Sequence, residues 1–266
     1  MSTFTDDTFH SFLGEPLISE HDWGIEWRFA VQKQTLEKYG NILHETLYYH
    51  HSFFNLDDVL AKLGFPLSAQ ALKNLYSGTP LDHKTQMGNL GEVIGAHLSR
   101  TYMNFQGKPI YPKRYSTNVE QSMKGLDVLS FRDINLPAEI FIGEVKTGQR
   151  LNKTSTKDKK NPIEDAYATL CKHQRNEDLP KILHFARAYF ADDKSNLANV
   201  ERHMKKGTPK KHLLLSVTEQ KPGEPFSKIP EYKEKYGEIT ELLAVHIEIK
   251  GLTEFLKVLY SGSKHV

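Results

Sequence analysis

The run Ala138–Gly148, AEIFIGEVKTG, constrains the fold more than any other stretch of the chain. Ile140 and Ile142 alternate with Phe141 and Val145, so both faces are apolar, as in a central strand covered on each side. Side chains repeat every second residue along a strand, which puts Glu144 and Lys146 on the face of Ile140 and Ile142. Charged groups on a core-facing stripe are costly unless they are paired or bound to an ion. The chain must therefore supply a partner for them.

The preceding segment offers one. Gly125–Phe131, GLDVLSF, reads as a second strand, followed by the turn-rich Arg132–Pro137. An antiparallel hairpin centred near Asn135 and Leu136 sets Asp127 opposite Glu144, with β-carbons roughly 5 Å apart. Asp127 shares its face with Leu129 and Phe131 and so leads another buried stripe. Two carboxylates side by side resist joint ionisation. A divalent cation between them removes that penalty, and oxygen ligands suit Mg²⁺ or Mn²⁺. Lys146 lies roughly 7 Å along the strand from Glu144, within reach of an anion held by such an ion. A cation and an ammonium beside one anion are the equipment of phosphoryl transfer. Neither His nor Cys is needed for it.

Upstream, Thr85–Met103 has the periodicity of a helix, with Leu90, Val93, Ile94, Leu98 and Tyr102 recurring at helical spacing. Gly91, Gly95 and Ser99 form a row of small residues that lets such a helix lie close to a sheet. Each glycine costs about 1 kcal/mol of helix propensity. Glu92 borders this row and either points at the sheet or is solvated.

Asp127, a hairpin, then Glu144-Val145-Lys146 resembles the PD-(D/E)xK nuclease superfamily, whose core is an Asp followed by Glu-x-Lys on the next strand. The superfamily usually adds a Glu on an upstream helix, and Glu92 in GNLGEVIG stands where that residue is expected. More narrowly, the upstream Gly-Glu, then KGLDVL, then IGEVK is similar to the HamA family, nuclease subunits of the Hachiman anti-phage defence system that work beside a helicase. The resemblance spans roughly Gly88 to Gly148. It implies a restriction-endonuclease-like α/β fold, a mixed sheet flanked by helices, in residues 81–266. It also implies Asp127, Glu144, the Val145 carbonyl and Glu92 as metal ligands, and Lys146 as a catalytic group.

The remaining sequence is compatible with this. Residues 1–80 read as a mostly helical N-terminal lobe and a possible docking surface. It would hold a strand over Trp23–Val31 and helices over Leu36–Phe54, Leu56–Gly64 and Ser68–Tyr76. Neighbouring His50 and His51 point apart on any element and have no third ligand nearby, so they are read as surface or packing residues. After the Glu-x-Lys strand, Asn161-Pro162-Ile163-Glu164 signals a helix start, with Asn as N-cap and Pro at the first position. Further helices are expected from Asp178 and over Leu197–Lys206, and strands over His212–Val217 and Leu242–Ile249. A loop is expected over Thr218–Ile239, and a closing helix over Leu252–Tyr260. Cys171, the single cysteine, is read as a small core residue and rules out an internal disulfide.

A formal net charge of +2 in 266 residues gives no global nucleic-acid signature, so any such surface must be local. Lys113 and Arg114 sit between Tyr111 and Tyr115, and Lys124 immediately precedes the Asp127 strand. Lys153, Lys157, Lys159 and Lys160 crowd the polar loop that leaves the Glu-x-Lys strand. These are the candidate contacts to a phosphate backbone, each set against the alternative of a solvated surface. The acidic start of the chain lacks the pattern of a signal peptide, and no run reaches the roughly 18 apolar residues that span a bilayer. A cytoplasmic protein with no membrane partner is expected. The leading expectation is a Mg²⁺- or Mn²⁺-dependent deoxyribonuclease with a helicase partner. A non-catalytic adaptor holding nucleic acid or a helicase, and the same chemistry on RNA, remain open.

Overall fold

The computed structural model describes residues 4–51, 83–103, 105, 126–132, 139–149, 151, 161–177, 179–190, 193–205, 209–220 and 223–261. In chain order these hold α1 (Asp6–Leu13), β1 (Leu17–His21), β2 (Gly24–Val31), α2 (Lys33–His51) and α3 (His83–Thr101). There follow β3 (Val128–Phe131), β4 (Ile140–Gly148), α4 (Pro162–Gln174), α5 (Leu179–Tyr189) and α6 (Lys194–Lys205). The order closes with β5 (Lys210–Thr218), α7 (Ile229–Tyr236), β6 (Leu242–Ile249) and α8 (Leu252–Ser261).

The strands form one six-stranded sheet in the order β1-β2-β6-β5-β4-β3. The four inner strands run parallel, and β1 and β3 pair antiparallel at the two edges. The mixed α/β sheet flanked by helices is the architecture expected from the sequence. β4, β5 and β6 are apolar on both faces because helices cover both. On one side Phe141, Val145, Leu213, Leu215 and Val245 join a core with residues of α1, α2, α3 and α8. On the other, Ile140, Ile142, Leu214 and Ala244 join a core with residues of α4, α5, α6 and α7.

The small-residue row of α3 does what its spacing suggests. A β-carbon on Gly95 would stand 2.7 Å from Val128 Cγ2 and 3.2 Å from Leu215 Cδ2, and one on Gly91 would overlap the Thr147 hydroxyl. Ser99 Oγ meets Ser130 Oγ at 2.9 Å across the same contact. The backbone of α3 therefore lies directly on β3, β4 and β5. On the opposite face, α4 starts as its sequence signals: the Asn161 side chain accepts the Ile163 N–H at 2.8 Å, with Pro162 in the first turn.

Three elements differ from expectation. Thr218–Ile239 is more than a loop, since α7 buries Ile229 and Tyr232 and starts with Pro230 in its first turn. Helix α1, capped by Thr5 and Thr8, and strand β1 add to the N-terminal stretch. The boundary expected near residue 80 and the helices expected over 56–64 and 68–76 lie outside the described residues. Within them, residues 4–51 contribute two strands to the sheet and two helices to the core of the α3 side.

Candidate metal and phosphate site at the β3–β4 rim

The β3–β4 hairpin has the register its sequence implies: Val128 pairs with Gly143, Leu129 with Ile142, Ser130 with Phe141 and Phe131 with Ile140. One residue further along, Asp127 lies across from Glu144. Strand β4 outruns β3 at this end, so the Val145 N–H that faces β3 has no strand partner there. The Asp127 carboxylate takes that role, with Oδ2 accepting the Val145 N–H at 2.7 Å. This bond ties Asp127 to the strand that carries Glu144 and Lys146.

Glu144 is 4 % exposed. Among the described residues two other glutamates are equally buried, and each meets a cation: Glu26 meets Arg28 at 2.5 Å, and Glu164 meets Lys235 at 2.8 Å. Glu144 meets the His173 ring, Nε2 to Oε1 at 3.3 Å, and faces a second carboxylate. The consequence appears on Asp127. Burial, and next the negative charge of Glu144, push its carboxyl up from 3.8 to about 7, against the opposing pull of the Val145 N–H, Lys146 and His173. The Asp127–Glu144 pair concentrates negative charge that the fold must accommodate.

Lys146 lies two residues beyond Glu144 on the same face, and its Nζ is 3.4 Å from Asp165 Oδ2 on α4. Helix α4 thus touches both charged residues of the Glu-x-Lys run, Lys146 through Asp165 and Glu144 through His173. All of these groups lie toward the C-terminal end of β4. That is where ligands bind in sheets with parallel strands.

The other sequence candidates are placed differently. Glu92 is on α3, one residue past Gly91, and α3 packs on the Val145 and Thr147 side of β4, opposite to Glu144 and Lys146. Among the described residues, no three His, Cys, Asp or Glu side chains are arranged to hold a metal ion. Lys113, Arg114, Lys124, Lys153, Lys157, Lys159 and Lys160 lie outside the described residues. Cys171 is buried, and burial raises its thiol to about 11, as suits an inert core residue. Among the described residues no helix is long and apolar enough to cross a membrane.

His173 is the site neighbour that sequence reasoning missed. Its one signal was its position three residues after the inward-facing Leu170, which put a histidine on the apolar side of α4.

Two carboxylates, one of them pushed toward the protonated state by burial and then by the charge of the other, fit a hard divalent cation by donor type and by charge. The residues that would hold it are Asp127 and Glu144, with the Val145 carbonyl as a further oxygen. Lys146 adds a positive charge for an anion alongside.

Comparison with known proteins places the chain in a family. The profile of the HamA family matches residues 28–223. The Hachiman protein HamA of Bacillus cereus is 34% identical over 111 residues, an alignment that covers 41% of this chain and 36% of that protein. The chain is thus matched over about a third of the length of that relative.

Proposed function

Because the chain belongs to the HamA family, we propose that it serves a Hachiman anti-phage defence system as a Mg²⁺- or Mn²⁺-dependent nuclease of the PD-(D/E)xK type. The substrate proposed is DNA, and the reaction is hydrolysis of its phosphodiester bonds. The observation that carries this reading is the Asp127 carboxylate, tied to Val145 and set across from the buried Glu144, with Lys146 next on the same face.

Asp127 and Glu144 would hold a divalent ion, with the Val145 carbonyl beside them. When bound, such an ion supplies a Lewis-acid charge beside the scissile phosphate and eases deprotonation of the attacking water. Lys146 contributes a positive charge that orients that water or offsets the charge gathering on the phosphoryl oxygens. Asp165 holds the ammonium on the α4 side until an anion competes for it. Lys113, Arg114, Lys124 and the lysines of the 153–160 segment are the proposed contacts to the nucleic-acid backbone. The partner proposed, from the same resemblance, is a helicase subunit.

The test is cleavage of duplex DNA, single-stranded DNA and RNA by purified protein, with Mg²⁺ and with chelator. Metal-dependent cleavage of DNA is expected. Glu144→Ala and Lys146→Ala should each abolish it while leaving far-UV circular dichroism unchanged. Cleavage retained in either variant refutes the assignment. Absence of cleavage together with stable binding of a helicase would favour an adaptor.

A further inference from the structure

Among the described residues, one fully buried polar side chain outside the proposed ligand set touches it. His173 stands in the last turn of α4 with 0 % exposure, its Nε2 3.3 Å from Glu144 Oε1. Its position is fixed from behind. The Lys210 ammonium donates to the His173 carbonyl at 2.7 Å and also to the Asn176 side chain, binding the end of α4 to the start of β5. The Arg175 N–H closes the same helix end on the Cys171 carbonyl at 3.2 Å. From its other end, α4 reaches Lys146 through Asp165.

Glu144 has three rotatable side-chain bonds and a like charge across the hairpin. Left alone, its carboxylate would swing away from Asp127 wherever the packing permitted. A donor anchored on the opposite element prevents this.

We infer that His173 is the positioning residue for Glu144: its Nε2–H holds Oε1 and fixes the carboxylate facing Asp127. This rests on the reading of Asp127 and Glu144 as ion ligands. His173 itself binds neither ion nor substrate. Its contribution is to keep a ligating carboxylate in place, an outer-shell role whose loss typically weakens metal affinity about 10–100-fold. A charge-balancing role alone would not weaken that affinity on loss of the imidazole, since removing a positive charge beside the site favours a cation.

Mn²⁺ binding to the full chain, measured by calorimetry, distinguishes these roles, with unfolding by urea in chelator as the parallel readout. The terminal amide nitrogen of glutamine can take the place of imidazole Nε2, whereas that of asparagine stops near Nδ1. His173→Asn should therefore weaken Mn²⁺ binding by about 10–100-fold, and His173→Gln should restore most of the affinity. Equal affinity in wild type and His173→Asn, with Glu144→Ala unable to bind, overturns the positioning role and leaves the ion site standing. Equal losses in the glutamine and asparagine variants would mean packing rather than a placed donor, and also overturn it. Unchanged Mn²⁺ binding in Glu144→Ala removes the ion site itself, and this inference with it.

Discussion

Consider Asp127→Asn in metal-free protein. Burial and the Glu144 charge move the Asp127 carboxyl from 3.8 to about 7 in the folded chain. At about 1.36 kcal/mol per factor of ten, holding it ionised costs the fold about 4 kcal/mol. Solvent reaching the rim screens part of this, leaving about 2–4 kcal/mol. The sign follows from proton binding. Between about pH 4 and pH 7 the folded chain keeps this proton while the unfolded chain has lost it, so stability falls as pH rises through that window. Above it the whole penalty is present. Asparagine carries no charge, and its carbonyl can still accept the Val145 N–H. The variant should match the wild type near pH 4 and exceed it by about 2–4 kcal/mol at pH 8, with a melting temperature higher by roughly 5–15 °C. Urea unfolding across this pH range, in chelator, reads the difference directly. A variant less stable than the wild type at pH 8, or a difference that does not change with pH, would refute the claim that the two carboxylates strain the fold.

Two further substitutions or probes test the surroundings of the site. Gly91→Ala gains about 1 kcal/mol in helix propensity, but its β-carbon would overlap the Thr147 hydroxyl and stand 2.7 Å from Val145 Cγ1. A net loss of about 1–3 kcal/mol is expected by thermal melting, and a stabilised variant would contradict the close seating of α3 on β4. Cys171, with its thiol raised to about 11 by burial, should react with a disulfide reagent at pH 8 about 100-fold more slowly in the native chain than in urea. Comparable rates would show that α4 does not seal this part of the core.

The hairpin and its register were legible because a strand buried on both faces tolerates few charges. Asp127, Glu144 and Lys146 therefore stood out against the apolar stripes that contain them. The seating of α3 was legible from Gly91, Gly95 and Ser99, since small residues every four positions serve no purpose on a solvated helix. Strand β1 was not, because all five of its residues are exposed and no alternation marks it. Helix α7 was hidden by the Pro, Gly, Lys and Glu around it, although Ile229, Tyr232 and Tyr236 keep helical spacing. His173 was missed for a different reason. Its significance comes from a contact with a residue 29 positions away, and helical spacing cannot distinguish a packed histidine from one that holds a carboxylate. The place of Glu92 was likewise undecided by periodicity, which puts it beside the small-residue row without fixing which sheet face it serves.

The most direct measurement of the central claim is anomalous X-ray scattering from crystals soaked in Mn²⁺. A peak is expected between the carboxylates of Asp127 and Glu144, on the face of β4 that carries Lys146, and should be lost in Glu144→Ala crystals. Ordered carboxylates with no peak between them at saturating Mn²⁺, or a peak that survives Glu144→Ala, would contradict the claim.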